Sequence, residues 1–145
     1  MTSTHTARLI VCERTGRWAA ALRMELAEAG VRVWETRSLA ECWETLAAAP
    51  GNFVVVELGA ATADDLLARM IGLADSFPRT RVAVVADRSL AEYEWLLREA
   101  GAVHFACSRR QLAPLARTAC RHLAQVPTPR QGLAERIWAG LPWSG

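Results

Sequence analysis

The sequence contains no lysine: all 17 of its basic residues are arginine, against 15 acidic residues, which gives a formal net charge of +2. Any role that needs a lysine ammonium group is excluded, and the balanced charge does not indicate a nucleic-acid or membrane partner. The four cysteines, Cys12, Cys42, Cys107 and Cys120, lack the C-x-x-C or Cys/His spacing of a metal site. We interpret them as reduced, structural thiols of a cytoplasmic protein.

Long apolar runs are also missing, and we expect no signal peptide. The longest apolar runs have the length of a β-strand, too short to cross a bilayer as a helix. Residues 1–6 are polar and lack the basic and apolar regions of a signal peptide. The 145 residues have room for one domain, which we place at residues 1–125. The Pro-containing segment 126–129 is predicted to be a stiff linker, and residues 126–145 form a Trp-rich tail.

Strand and helix patterns alternate five times along residues 7–124. The run Phe53–Glu57 is β-branched, shows no alternation and ends in a carboxylate, which is typical of a strand buried on both faces. Capping boxes at Ser38 and Ser89 predict helix starts, and Gly30 and Gly101 predict helix ends. The other predicted strands are 7–12, 31–36, 81–86 and 103–107. Short connections between these elements predict an α/β fold with a parallel five-stranded sheet.

Residues 7–124 resemble the receiver domain of two-component response regulators. Residues 8–13 are similar to the first strand of that family, which ends in an acidic pair. Phe53–Glu57 is similar to its third strand, which ends in the phosphoaccepting aspartate. Residues 96–102 are similar to the end of its fourth helix with an Ala-Gly-Ala exit. The resemblance implies a three-layer (βα)5, flavodoxin-like fold with strand order 2-1-3-4-5.

The resemblance also implies where the groups of phosphoryl transfer would stand. An active receiver needs an acidic pair for Mg²⁺, an acceptor aspartate, a Ser or Thr after strand four and a lysine after strand five. The matching residues here are, in that order, Cys12 with Glu13, then Glu57, Val85 and Ser108. We therefore expect no phosphorylation, no metal ion, no cofactor and no small-molecule substrate. Glu57 either imitates the charge of a phosphorylated aspartate or is a tolerated, solvated carboxylate.

Two helices carry candidate residues for binding a protein partner. On the fourth predicted helix Trp95 lies opposite the apolar stripe, so it is either a single exposed apolar residue or an interface anchor. The fifth helix has a basic side with Arg109, Arg110, Arg117 and Arg121, and without a recognition-helix motif a solvated face is favoured over DNA binding. We include Arg117 and Arg121 in the predicted partner surface. In receivers the face of helix four, strand five and helix five is the usual contact surface, which favours a protein partner or a homodimer there.

The tail carries large apolar side chains in a segment too short to bury them by itself: Ile137, Trp138, Leu141 and Trp143. They would dock either on the domain's own surface, as a short amphipathic helix, or in the pockets of a partner. Docking on a partner is slightly favoured, because receivers normally end with helix five.

The sequence therefore predicts a phosphorylation-incompetent, receiver-like module for protein interactions in cytoplasmic signalling. An active single-domain response regulator with an atypical phosphoacceptor is the first alternative. A small flavodoxin-like enzyme or nucleotide binder is the second. Segment 13–17 stands where a flavodoxin-like phosphate loop would be, but with one glycine and one hydroxyl it is more typical of a plain turn. His104, with no partner at a readable spacing, is predicted to be structural.

Overall fold

A computed structural model describes residues 7–49 and 51–125 of the chain. Five parallel strands form one sheet in the order β2-β1-β3-β4-β5. The strands are β1 (Leu9–Cys12), β2 (Val33–Thr36), β3 (Phe53–Glu57), β4 (Arg81–Val85) and β5 (His104–Ala106). The predicted parallel sheet and its strand order are confirmed.

Helices cover both faces of this sheet. They are α1 (Arg17–Glu25), α2 (Leu39–Leu46), α3 (Ala63–Ile71), α4 (Leu73–Ser76), α5 (Glu94–Glu99) and α6 (Leu112–Gln125). Helices α1 and α6 pack on one face, and α2, α3, α4 and α5 pack on the other. Short 3₁₀ helices precede α3, α5 and α6, at Ala60–Thr62, Arg88–Tyr93 and Arg109–Gln111. Among the described helices, none is long and apolar enough to cross a membrane.

The central strand β3 contributes side chains to both halves of the core. Phe53 and Val55 pack in the cluster with α1 and α6, whereas Val54 and Val56 pack in the cluster on the opposite face. All four are fully buried, which confirms the predicted two-sided burial of this strand. Because side chains alternate along a strand, Glu57 falls on the side of α1 and α6.

One of the two predicted capping boxes caps a helix and the other does not. The Ser38 side chain accepts a hydrogen bond from the Glu41 amide at 3.1 Å and caps α2. The capping box predicted at Ser89 is wrong, because the Leu90 amide already bonds to the Asp87 carbonyl and starts a 3₁₀ helix there. Ser89 therefore lies inside a helical segment, and α5 begins only at Glu94.

The predicted helix ends are partly correct. Helix α1 ends at Glu25 instead of reaching Gly30, although Gly30 has the positive φ expected of a turn residue. Gly101, with φ of 116°, follows α5 as predicted. The helix predicted between the third and fourth strands is divided into α3 and α4 at Gly72. Pro114 lies in the first turn of α6, where its missing N–H costs no helical bond.

Candidate functional site at the carboxyl edge of the sheet

The strands β1, β3 and β4 end side by side at one edge of the sheet. Cys12 pairs with Val56, and Glu57 pairs with Val85. Glu13 and Asp87 follow β1 and β4 at the same edge. In open parallel sheets this edge is where ligands bind, so these residues define the candidate site.

Glu13 is a buried carboxylate that caps a helix. It is only 2% exposed, and its Oε1 and Oε2 accept hydrogen bonds from the amides of Trp18 and Ala19 at 2.9 and 2.6 Å. These amides lie in the first turn of α1 and have no partner within the helix. Since Gly16 at the N-cap has no side chain, Glu13 supplies the acceptors, and its charge suits the positive end of the helix dipole.

Glu57 is held by a backbone amide and by an arginine. Its Oε1 accepts from the Arg14 amide at 3.3 Å, and its Oε2 lies 3.9 Å from Arg17 Nη2. The same Arg17 nitrogen lies 3.5 Å from Asp87 Oδ1, so one guanidinium bridges the end of β3 and the loop after β4. These ion pairs are long and partly solvated, so each stabilises the fold by well under about 1 kcal/mol. These ion pairs orient the side chains of the site but add little to the stability of the fold.

The structure does not bring Cys12 to Glu57. Its side chain packs in the cluster with α2 and α3, on the face of the sheet opposite Glu57. A hydrogen bond with the Cys42 thiol holds the pKa of Cys12 below its usual value and raises the pKa of Cys42. Cys12 thus belongs to the core, although it occupies an acidic position of the receiver pattern.

Val85 and Ser108 lie on two sides of the candidate site. Val85 is fully buried beside Glu57 and offers no hydroxyl. Ser108 lines a cavity of about 460 Å³ between α1 and the loop after β5, together with Arg17, Trp18 and Asp87. Ser108, at the place where the resemblance implies a lysine, therefore lines the same cavity as Arg17.

The oxygen atoms at this edge do not fit Mg²⁺, which prefers a near-octahedral set of free oxygen ligands. Both oxygens of Glu13 already accept amide protons, and Glu57 faces an amide and the cationic Arg17. Within residues 7–49 and 51–125, no group of three or more His, Cys, Asp or Glu side chains is placed to hold a metal ion.

Sequence reasoning missed Arg17 and Asp87 as members of this site. A usable signal was available, because both residues stand shortly after strands that end at the shared edge. The absence of lysine also leaves arginine as the only long cationic side chain that could reach Glu57. His104 lies at the start of β5, and its Nε2 is 2.8 Å from the Thr118 hydroxyl, in keeping with a structural role.

The predicted partner residues that the structure describes lie on two different faces of the sheet. Trp95 is 72% exposed while Leu97 of the same helix is fully buried, so the predicted helix phase is confirmed. Arg117 and Arg121 line a groove with α1, across the sheet from α5. The tail residues lie outside the described part of the chain: Ile137, Trp138, Leu141 and Trp143.

The strand order and the helices on both faces of the sheet define a flavodoxin-like fold of the receiver type. No protein-family model and no curated protein matches the chain in sequence. Among solved structures, a response regulator from Thermotoga maritima is 20% identical, with a TM-score of 0.60 over 82% of this chain and 99% of that chain. A CheY-like protein (tadZ) from Pseudomonas aeruginosa PAO1 is 24% identical, with a TM-score of 0.58 over 77% and 98%.

A third similar structure carries the name of an enzyme. It is adenylate cyclase from Rhodopirellula baltica, 11% identical, with a TM-score of 0.62 over 90% of this chain and 98% of that chain. At these identities the similarity shows the fold, which is that of CheY-like receiver domains.

Proposed function

We propose that this chain is a receiver-like interaction module of cytoplasmic signalling that works without phosphorylation, catalysis or a cofactor. The observation that carries the proposal is the engagement of both carboxylates at the site. Glu13 caps α1 with its two oxygens, and Glu57 is held by the Arg14 amide and Arg17.

Phosphoryl transfer to Glu57 would require groups that neutralise the transferred oxygens. Arg17 is the one cation beside Glu57 among the described residues, and its guanidinium is shared with Asp87. Val85 and Ser108 replace the hydroxyl and the ammonium that the resemblance implies. We propose that Glu57 instead imitates a phosphorylated side chain and holds the loops after β3 and β4 in one arrangement.

The active alternative has one observation in its favour, since Arg17 and Ser108 line the same cavity beside Asp87. Incubating the full chain with Mg²⁺ and either acetyl phosphate or beryllofluoride separates the two possibilities. We expect no mass increase by intact-mass spectrometry and no change in the amide NMR spectrum. A stable adduct that is lost in Glu57→Ala would establish the active receiver and reject the proposal.

Placing aspartate at two receiver positions tests how far the site differs from that of an active receiver. Cys12→Asp with Glu57→Asp should not restore phosphorylation. The side chain at position 12 points into the core, and Ser108 still stands where an active receiver has a cationic lysine. The substituted protein must first be shown to be folded by its near-UV circular dichroism. Phosphotransfer by this folded double variant would contradict the proposed loss of function.

The partner surface is proposed to centre on Trp95 of α5, with the neighbouring Leu96 also exposed. A large outward aromatic side chain is typical of an interface anchor. Trp95→Ala should weaken partner binding by about 2 kcal/mol while changing stability by less than about 0.5 kcal/mol. Ile71→Ala is a matched control, because Ile71 on α3 is also 72% exposed. If Trp95→Ala and Ile71→Ala weaken capture of the partner equally, Trp95 is not the anchor. The predicted homodimer through this face stays a prediction.

A further inference from the structure

A groove of about 740 Å³ runs between α1 and α6, across the sheet from Trp95. Met24 stands at the groove with 69% of its surface exposed. Small side chains of α6 line the groove beside it, namely Ala113, Ala116 and Cys120. An exposed methionine next to a lining of small residues leaves room for a side chain from another molecule.

The two sides of this groove carry opposite charges. Glu25 and Glu28 line it from the end of α1 and the turn after it, and Arg117 and Arg121 line it from α6. Among the described residues none of these four side chains forms an ion pair, whereas other acidic and basic side chains do. The groove thus has an acidic rim and a basic rim that do not neutralise each other within one chain.

We propose that a second copy of this chain occupies the groove, forming a two-fold symmetric dimer through α1 and α6. A two-fold axis through the groove places α1 of one copy against α6 of its partner. The acidic rim of each copy then faces the basic rim of the other, so the same attraction between opposite charges occurs twice in the dimer. Each Met24 would fill the small-residue lining of the opposite groove. An unrelated partner would need its own basic side chains opposite the acidic rim and its own acidic side chains opposite the basic rim.

The Met24 side chain also contacts an arginine. Its sulfur lies 3.5 Å from Arg109 Nη2, in the helical turn that precedes α6. The dimer face uses neither Trp95 nor Glu57, so it does not depend on the proposed function. Self-association through α1 and α6 would therefore leave Trp95 accessible on the opposite face of the sheet.

Paired charge reversals of the full-length chain test this dimer by sedimentation velocity over a concentration series. Glu25→Arg with Glu28→Arg makes both rims basic, and Arg117→Glu with Arg121→Glu makes both acidic. Each variant alone should dimerise with a dissociation constant raised about tenfold or more, because like charges then face each other. An equimolar mixture of the two should recover the dimer, because an all-basic groove meets an all-acidic one.

Glu44→Arg with Asp75→Arg, a reversal of exposed charges on the other face of the sheet, should leave the dimer unchanged. Met24→Glu offers a single exposed change that should also weaken the dimer without affecting folding. A wild-type chain that stays monomeric, a dimer that survives both reversals, or a dimer lost in Trp95→Ala would each overturn the proposal. A mixture that stays monomeric would also overturn it.

Discussion

Two glutamates at the same edge of the sheet serve different purposes. Glu13 is buried and accepts two short hydrogen bonds from α1. The Glu57 side chain is 21% exposed and makes one longer hydrogen bond and one long ion pair. The difference in burial and in hydrogen bonding implies a difference in the free energy that each side chain contributes to folding.

Glu13→Gln should destabilise the protein by about 1–3 kcal/mol, because the new amide group would direct an N–H at one of the helix amides. Glu57→Gln keeps an acceptor for Arg14 and loses only a solvated ion pair, so it should cost less than about 1 kcal/mol. Urea denaturation of the two variants measures both values. Equal losses would show that Glu13 does not have the capping role described.

The stability of the protein should fall as the pH is lowered through the titration of His104. Burial, with a smaller contribution from the Arg98 and Arg121 cations, lowers the pKa of His104 below its usual value of about 6.5. The unfolded chain therefore binds the proton more tightly than the native state does. The contribution is fully present above the unfolded pKa and is lost as the pH falls through the lower, native pKa.

His104→Gln tests this dependence, because glutamine can keep the hydrogen bond to Thr118 but does not titrate. The free energy of unfolding, measured by urea at about pH 7.5 and about pH 5, should differ less in the variant than in the wild type. An unchanged difference would show that other groups cause the pH dependence.

At the scale of elements, Asn52 ties three of them together at the amino edge of the sheet. It is fully buried just before β3, and its Oδ1 accepts from the Arg8 amide at 2.8 Å. Its Nδ2 donates to the carbonyls of Ala49 at 2.7 Å and Leu46 at 3.4 Å. One side chain thereby connects the segment before β1, the end of α2 and the start of β3.

Asn52→Ala should destabilise the protein by about 2–3 kcal/mol, because a buried amide and a buried carbonyl lose their partners. Thr80→Val is the matched control, since Thr80 is buried before β4 and its hydroxyl has no partner among the described residues. Removing that hydroxyl should be neutral or slightly stabilising. Thermal unfolding of both variants measures the difference, and a larger loss in Thr80→Val would contradict this account.

At the scale of the whole molecule, residues 7–125 contain all five strands of the sheet and the helices on both of its faces. Deleting residues 126–145 should therefore change the free energy of unfolding by less than about 1 kcal/mol. If the tail binds a partner, as the sequence slightly favours, the same deletion should abolish capture of that partner. A much larger loss of stability would show instead that Ile137 and Trp138 complete the core.

Local patterns of the sequence were sufficient to predict the class of fold. The unbroken apolar run of β3, the capping serine of α2 and the glycine after α5 each act within a few residues, so their signals can be read along the chain. The missing lysine is likewise a property of composition. The strand order came from the resemblance to receivers, because local patterns do not determine which strands become neighbours.

The chemistry of the site was decided only by the tertiary structure. Arg14 and Glu57 are 43 residues apart, and their contact exists because β1 and β3 end at the same edge. Glu13 caps α1 because the helix turns back over the end of β1, which no sequence pattern indicated. The opposite charges along the groove between α1 and α6 also come from distant segments. Sequence periodicity determines which face of an element is apolar, but the packing of the elements determines which polar groups meet.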